Sequence, residues 1–238
     1  MRTIFLADAH LHNPEDKNYR LLLDFIRSLK GTTDILCILG DLFDFRIGLP
    51  NLDFPEQEPL LKALEELHSS GTRLIYLEGN HDFKLGNALA ERLGAEIYPE
   101  PVTLEIQGQK IFLCHGDLIN SSDWRYRLLY RILRHNIVFK TGKLLPATII
   151  NGLRRRLQRS SKGRYRQDRS RWDYPEMIRL YAGSISKQGC NAMVLGHFHL
   201  PFIENKDGFT LISLGDWISQ FSYSELVDGK FSLLIYPA

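Results

Sequence analysis

Residues 2–8, RTIFLAD, are the stretch that decides the fold, because a short apolar run there ends at a carboxylate. A brief apolar run of this kind is typical of a buried β-strand. The pattern returns at residues 34–41, DILCILGD, and at residues 73–80, RLIYLEGN. Residues 19–30 and 55–71 lie between these runs and have helical apolar spacing. Strands that alternate with helices predict βα units in a parallel sheet.

The second half of the chain changes to hairpin patterns. Residues 102–117 form two apolar runs that turn at Gln107-Gly108. Two later pairs of apolar runs enclose the turns Asp207-Gly208 and Asp228-Gly229. Parallel βα units followed by hairpins predict two packed sheets flanked by helices, in a single α/β domain that spans residues 1–238.

Residues 118–174 fit neither pattern, and we expect them to form a helical lid inserted into this domain. Helical spacing covers residues 124–138 and 145–158. Between Trp124 and Gln167 the chain has 13 Lys/Arg and no Asp/Glu, whereas the remainder has 17 basic and 28 acidic residues. A basic segment on an acidic body indicates an anionic partner, such as nucleic acid, phosphorylated lipid or a membrane face.

The apolar residues of the lid indicate which of these anionic partners is favoured. Leu, Ile, Phe and Val alternate there with Arg and Lys, which favours an anionic membrane surface or an amphiphilic substrate. The alternative is a solvated helix packed on the body, with Arg154 to Arg156 as its exposed side.

The sequence argues against a membrane-spanning protein, a secreted protein with a signal peptide and a disulfide-stabilised protein. The chain has no apolar run near the roughly 18 residues that a membrane span needs, and MRTIFLADAHLH is too briefly apolar for a signal peptide. Cys37, Cys114 and Cys190 lie far apart, without a CxxC pair. Sparse cysteines indicate reduced thiols. We therefore expect a cytoplasmic protein.

Five short polar motifs at predicted strand ends carry the candidate chemistry. They are Asp8-Ala9-His10, Gly40-Asp41-Leu42-Phe43-Asp44, Gly79-Asn80-His81-Asp82, His115-Gly116-Asp117 and Gly196-His197-Phe198-His199. Ligand crevices in α/β sheets form at the carboxyl ends of strands. Carboxylate, amide and imidazole groups together suit divalent ions such as Mn²⁺, Fe²⁺ or Zn²⁺.

Each motif alone could be an ordinary turn or a helix cap. Five of them are better explained by one shared metal centre, because polar groups are costly to bury without a partner. The remaining histidines, His12, His68 and His135, are expected at the surface or in helices.

In their order, these motifs resemble those of the calcineurin-like metallophosphoesterase superfamily, which are D-x-H, G-D-x-x-[DE], G-N-[HR]-[DE], H-G-[DH] and G-H-x-H. The resemblance implies a four-layer αββα sandwich and two divalent ions, with Mn²⁺ favoured. One ion would bind Asp8, His10, Asp41 and His199. The other would bind Asp41, Asn80, His115 and His197, so that Asp41 bridges the pair.

The same resemblance implies catalytic roles. Two adjacent cations hold a phosphate and favour loss of a proton from a shared water, and the resulting hydroxide attacks phosphorus in line. His81, next to the catalytic ligand Asn80, would stabilise charge or protonate the leaving oxygen, and Asp82 would orient His81. Asp44 is expected to hold a ligand histidine. Asp117 is either a further site residue or a strand-end cap.

From His115 onward the chain is similar to the UDP-2,3-diacylglucosamine pyrophosphatases (hydrolases) of lipid A synthesis. The residues that carry this likeness are Asp123, Tyr126, Pro146, Arg154 to Arg156, Ser161-Lys162 and Leu214 to Trp217. It implies attack on the α-phosphorus of the UDP group, which releases UMP and 2,3-diacylglucosamine 1-phosphate. The substrate contacts would be Asp123, Tyr126, Ser161, Lys162 and Arg164, with the acyl chains under the lid. Such an enzyme would be cytoplasmic and peripherally associated with the inner membrane.

His81 departs from the best-known branch of that family, which has Arg at this position. The two are not equivalent, because Arg binds phosphate bidentately but does not donate a proton. A cytosolic metallophosphodiesterase or nucleotide pyrophosphatase with a water-soluble substrate is therefore the alternative. A non-enzymatic scaffold that binds RNA or membrane is disfavoured by the full set of ligands, and nucleic acid is not expected as a partner.

Overall fold

The structure is a computed structural model that describes residues 1–150, 152 and 172–237. Its strands are β1 (Arg2–Leu6), β2 (Ile35–Leu39), β3 (Arg46–Ile47), β4 (Arg73–Leu77), β5 (Asp82–Phe83), β6 (Ala95–Tyr98), β7 (Val102–Ile106), β8 (Gln109–Cys114), β9 (Ala192–Leu195), β10 (Phe202–Lys206), β11 (Phe209–Ser213), β12 (Ser222–Val227) and β13 (Lys230–Ile235). Its helices include α1 (Lys17–Ser28), α2 (Glu58–Ser69), α3 (Gly86–Leu93), α4 (Trp124–Arg134), α5 (Asn136–Gly142) and α6 (Tyr174–Ser186).

The strands form two large sheets and one short ribbon. The larger sheet has the order β13-β12-β1-β2-β4-β6, in which β1, β2, β4 and β6 are parallel and β12 is antiparallel to both of its neighbours, β1 and β13. The smaller sheet has the order β10-β11-β9-β8-β7, with parallel strands at its centre and antiparallel strands at both edges. Each sheet therefore brings several strand ends to one edge.

Three hydrophobic clusters divide the fold into layers. In β1, Ile4 and Leu6 belong to a cluster shared with α1 and α2, whereas Phe5 belongs to a cluster shared with the smaller sheet. On the far side of the smaller sheet, Met193 packs in a cluster with Ile178 of α6. Parallel strands covered on both faces need apolar side chains on both, which is why these strands are continuous apolar runs. The four-layer αββα sandwich is confirmed.

The lid differs from its prediction at His135. The helical pattern over residues 124–138 is divided into α4 and α5, because His135 is extended, with φ −67° and ψ 135°. Its Nδ1 accepts a hydrogen bond from the amide of Ile137 at 3.3 Å and caps α5. Half of the second predicted lid helix, residues 151 and 153–158, lies outside the described residues. The lid boundaries at residues 118 and 174 stay a prediction.

None of the described helices combines the length and the apolar character that crossing a bilayer requires. The three cysteines, Cys37, Cys114 and Cys190, are buried and free.

A stability test follows from the aromatic cluster around Trp217, which is fully buried and stacks on Phe25 with ring centroids 4.9 Å apart. We expect Trp217→Ala to lower the free energy of unfolding by about 3–5 kcal/mol, because it leaves a cavity in the core. Trp124→Ala is the matched control; that side chain is 64% exposed, so the change should stay within about 0.5 kcal/mol. Denaturant unfolding followed by circular dichroism measures both, and equal losses would contradict the packing.

Candidate metal centre

The loops that carry the five motifs are held by constrained backbone. The amide of Asp8 donates to the carbonyl of Gly40 at 3.2 Å, and the amide of His10 donates to the carbonyl of Asp41 at 2.9 Å. Five of the predicted ligands have φ angles between 45° and 69°, namely Asp8, His10, Asp41, His197 and His199. Residues other than glycine rarely adopt this conformation, and they keep it only where the surrounding structure imposes it.

The first cluster of potential ligands consists of Asp8, His10 and His199. The Nε2 atoms of His10 and His199 lie 3.8 and 3.6 Å from Oδ1 of Asp8. The Asp8 side chain is buried, and its Oδ2 accepts a hydrogen bond from the amide of His197 at 2.6 Å. Its Oδ1 has no hydrogen-bond partner among the described residues. A buried oxygen in this state is costly, so a cation between it and the two imidazoles fits the arrangement.

The second cluster consists of Asp41, Asn80, His115 and His197. Oδ2 of Asp41 lies 3.5 Å from Nε2 of His115, which itself lies 3.0 Å from Oδ1 of Asn80. Ligand atoms of Asp41, His115 and His197 lie within 4.8 Å of one another. The same Asp41 oxygen is 3.6 Å from Nε2 of His10, in the first cluster. The structure thus brings all the predicted metal ligands together, and Asp41 suits a bridging role.

The protein also holds the second ring nitrogen of two of these histidines. Nδ1 of His115 lies 2.8 Å from the carbonyl oxygen of Leu39, and Nδ1 of His199 lies 3.3 Å from Oδ2 of Asp216. Contacts of this kind select the tautomer that leaves Nε2 for a metal. Although burial opposes the charged form, His199 and the amides of residues 218–220 lower the pKa of the Asp216 carboxyl.

Asp216 is not among the predicted site residues, although the sequence contains a signal for it. Gly215-Asp216 follows β11 as Gly40-Asp41 follows β2, so the same strand-end pattern could have identified it. The pattern does not show which histidine this carboxylate contacts, because that depends on how β11 pairs with β9.

His81 and Asp82 have different surroundings. The buried Asp82 carboxylate accepts hydrogen bonds from the amide of Asp41 at 2.9 Å and the hydroxyl of Tyr76 at 2.6 Å. Nδ1 of His81 lies 2.8 Å from the carbonyl oxygen of Asp44. Asp44 therefore contacts His81 directly, and the orientation of His81 by Asp82 stays a prediction.

Burial perturbs the protonation of the clustered side chains. It raises the pKa of the Asp8 carboxyl to about 7 and lowers the pKa of His10 to about 3, because it disfavours the charged form of each. Burial also lowers the pKa of His197 well below its ordinary value. A divalent cation stabilises an ionised carboxylate and binds neutral imidazole. The electrostatics of these side chains therefore fit metal binding.

The predicted substrate residues Asp123 and Tyr126 lie at the start of α4. Oδ1 of Asp123 accepts a hydrogen bond from the amide of Tyr126 at 2.9 Å and caps the helix. The hydroxyl of Tyr126 donates to Oδ2 of Asp117 at 2.5 Å. These contacts bring both residues next to the His115-Gly116-Asp117 motif, but their contact with substrate stays a prediction. The other residues assigned to the substrate and the lid, Ser161, Lys162, Arg164 and Arg154 to Arg156, lie outside the described residues.

Comparisons with known proteins agree with the motifs. The family described as calcineurin-like phosphoesterase matches residues 1–201. A protein named UDP-2,3-diacylglucosamine hydrolase from Pseudomonas fluorescens is 31% identical over 91% of this chain and 88% of its own length. A protein of the same name from Stenotrophomonas maltophilia is 30% identical and covers 98% of this chain and 98% of its own length. Another from Haemophilus influenzae is 28% identical and covers 97% of each.

Among solved structures, an archaeal phosphodiesterase is similar in fold. It is 15% identical, covers 99% of this chain and 100% of its own, and superposes with a TM-score of 0.51.

The close approach of the loops at Gly79 provides a test of this geometry. A methyl group on Gly79 would lie 2.2 Å from Oδ1 and 2.5 Å from the amide nitrogen of Asp41. We expect Gly79→Ala to lower the free energy of unfolding by about 1–3 kcal/mol through this overlap. Gly183→Ala, in α6, meets no described atom within 4 Å and should be neutral or stabilising by up to about 1 kcal/mol. Urea denaturation compares the two, and a neutral Gly79→Ala would contradict the geometry.

Proposed function

Because the chain belongs to the calcineurin-like phosphoesterase family, we propose that it is a two-metal hydrolase that cleaves UDP-2,3-diacylglucosamine into UMP and 2,3-diacylglucosamine 1-phosphate. The observation that carries the proposal is the convergence of two ligand clusters on one carboxylate oxygen of Asp41. The names of relatives that match nearly the whole chain support this substrate.

The proposed ligands are those predicted from the motifs. Asp8, His10, Asp41 and His199 would hold one ion, and Asp41, Asn80, His115 and His197 would hold the other. Oxygen and imidazole donors without thiolate suit Mn²⁺. When bound, two divalent ions lower the pKa of a coordinated water and neutralise negative charge on the phosphate.

His81 is the proposed proton donor to the leaving oxygen. Its Nδ1 is engaged by the carbonyl of Asp44 at 2.8 Å, which makes Nδ1 the donor to that oxygen when the ring is neutral. A protonated ring could then supply a proton from Nε2 to the leaving oxygen. Burial opposes the charged ring, but the carboxylates of Asp41 and Asp44 raise the pKa of His81 above its ordinary value. This direction favours the acid form that the role requires.

The substrate class can be tested by comparing two substrates. Purified protein with added Mn²⁺ should release UMP from UDP-2,3-diacylglucosamine, and UDP-N-acetylglucosamine should react at least about tenfold more slowly, because it lacks the acyl chains that the lid is proposed to bind. A chelator should abolish both reactions, and Mn²⁺ should restore them. Equal rates with the two nucleotide sugars would contradict the lipid substrate and favour a phosphoesterase with a water-soluble substrate.

The same assay of UMP release tests the bridging role of Asp41. We expect Asp41→Ala to abolish release of UMP, since the change removes a ligand that both ions share. Asp24→Ala is the control, because the Asp24 side chain is 64% exposed on α1. Activity retained in Asp41→Ala would refute the two-metal mechanism.

We also propose that α4 and α5 contact an anionic membrane surface. Trp124, Leu128 and Ile132 are spaced four residues apart along α4 and are 64%, 49% and 48% exposed. Arg125 and Arg131 are neighbours of this apolar stripe. Exposed apolar side chains beside cations are typical of helices that lie in the membrane interface. This supports a cytoplasmic enzyme that is peripherally associated with the inner membrane, where an acylated substrate would reside.

Binding to vesicles tests this surface. We expect the double variant Leu128→Ser, Ile132→Ser to bind anionic phosphatidylglycerol vesicles at least about tenfold more weakly, because tenfold corresponds to about 1.4 kcal/mol and full burial of even one aliphatic side chain contributes about 1.5–3 kcal/mol. Leu180→Ser is the matched control, since Leu180 is 69% exposed on α6. Flotation assays measure the bound fraction, and equal binding by the two proteins would contradict the proposed surface.

A further inference from the structure

Arg134, the last residue of α4, connects the lid to the loop that carries Asn80. Its Nη1 lies 2.6 Å from Oε2 of Glu78, and its Nη2 donates to the carbonyl oxygen of Gly79 at 2.7 Å. The side chains of the ion pair are only 11% and 4% exposed. The guanidinium also lies over the ring of Tyr130, 4.4 Å from its centroid. Charge-assisted contacts of this kind are short and directional when solvent is excluded.

The carbonyl that Arg134 binds belongs to the peptide bond between Gly79 and Asn80. On the other side of Gly79, its amide donates to Oδ1 of Asp82 at 2.9 Å. Both peptide groups around Gly79 are therefore fixed, one by a buried carboxylate and one by a guanidinium. The side chain that follows, Asn80, has its Oδ1 only 3.0 Å from Nε2 of His115.

Glu78 extends the connection into the body. While Oε2 pairs with Arg134, Oε1 accepts a hydrogen bond from the amide of Leu85 at 2.9 Å. One buried carboxylate thus joins the end of β4, the segment before α3 and the end of the lid helix α4. A shift of α4 away from the body would remove the Arg134 guanidinium from both Oε2 of Glu78 and the Gly79 carbonyl.

We propose that Arg134 is a positioning residue that orients Asn80 for metal binding and fixes α4 against the site, so that lid position and cation affinity are coupled. This inference rests on the proposed two-metal function. It assigns Arg134 to the interior of the molecule, unlike its exposed neighbour Arg131, which is free to meet an external anion.

The test is titration calorimetry of the full chain with Mn²⁺, in the absence of substrate. Arg134→Gln should weaken binding of one of the two Mn²⁺ ions by about tenfold or more, since residues that orient metal ligands typically contribute 10–100-fold to affinity. Arg134→Lys keeps the charge but loses the guanidinium that contacts both Glu78 and Gly79, so its Mn²⁺ affinity should lie between those of Arg134→Gln and the wild type.

Glu78→Gln should weaken binding of the same ion. The double variant of Glu78→Gln with Arg134→Gln should lose less binding free energy than the sum of the two single losses. Arg131→Gln, on the same helix, is the control and should bind as wild type does.

The outcomes separate this inference from the proposed function. Arg134→Gln and Arg134→Lys with unchanged Mn²⁺ affinity would overturn the inference, even if their thermal unfolding temperatures fell, because that result assigns the residue to fold stability alone. Failure of the wild-type chain to bind Mn²⁺ would overturn the two-metal proposal and the inference with it. Weaker binding confined to the Arg134 and Glu78 variants, with native circular dichroism spectra, supports the inference.

Discussion

The buried carboxylate of Asp82 holds together the two loops on which the candidate centre is built. Its Oδ1 accepts hydrogen bonds from the amides of Asp41 and Gly79, and its Oδ2 accepts one from the amide of Leu42. Oδ1 of Asp41 in turn accepts a hydrogen bond from the amide of His81 at 2.8 Å. The loop after β2 and the loop after β4 therefore bind each other reciprocally. Because hydrogen bonds to an ionised group are strong and directional, this exchange fixes the position of the bridging carboxylate.

A centre of this kind opposes folding as long as it holds protein atoms alone. Carboxylates and imidazoles are packed into a region where burial raises the pKa of Asp8 and lowers that of His10. Groups in this state lose hydration without gaining full compensation from their neighbours. A cation that binds the folded chain stabilises it by mass action, so the same crowding that disfavours the empty arrangement favours metal binding. The remaining ring nitrogen of His115 is already held by the carbonyl of Leu39, which limits reorganisation when a metal binds.

The sequence predicts the features that depend on local pattern. Apolar runs that end in Asp8 or Asp41 identify both the strands and the polar edge, and two packed sheets flanked by helices follow from βα units succeeded by hairpins. Features that depend on non-local pairing could not be predicted. The contact of Asp216 with His199 exists because β11 pairs with β9, and Arg134 turns inward because a buried carboxylate, Glu78, lies beneath α4. A count of charges assigns the lid arginines to an external partner, and only the structure shows that Arg134 instead pairs with Glu78.

The order of strands has a consequence for biosynthesis. β1 lies between β2, which follows it closely in the chain, and β12, which is synthesised much later than β1. The carbonyl of Asp8 accepts its hydrogen bond from the amide of Trp217, just before β12. Pairing between segments so distant in sequence is slow, and a nascent chain cannot complete it until both segments have left the ribosome. The contacts that enclose the Asp8 loop are therefore completed late, and a chain truncated or stalled before β12 would leave the apolar edge of β1 exposed.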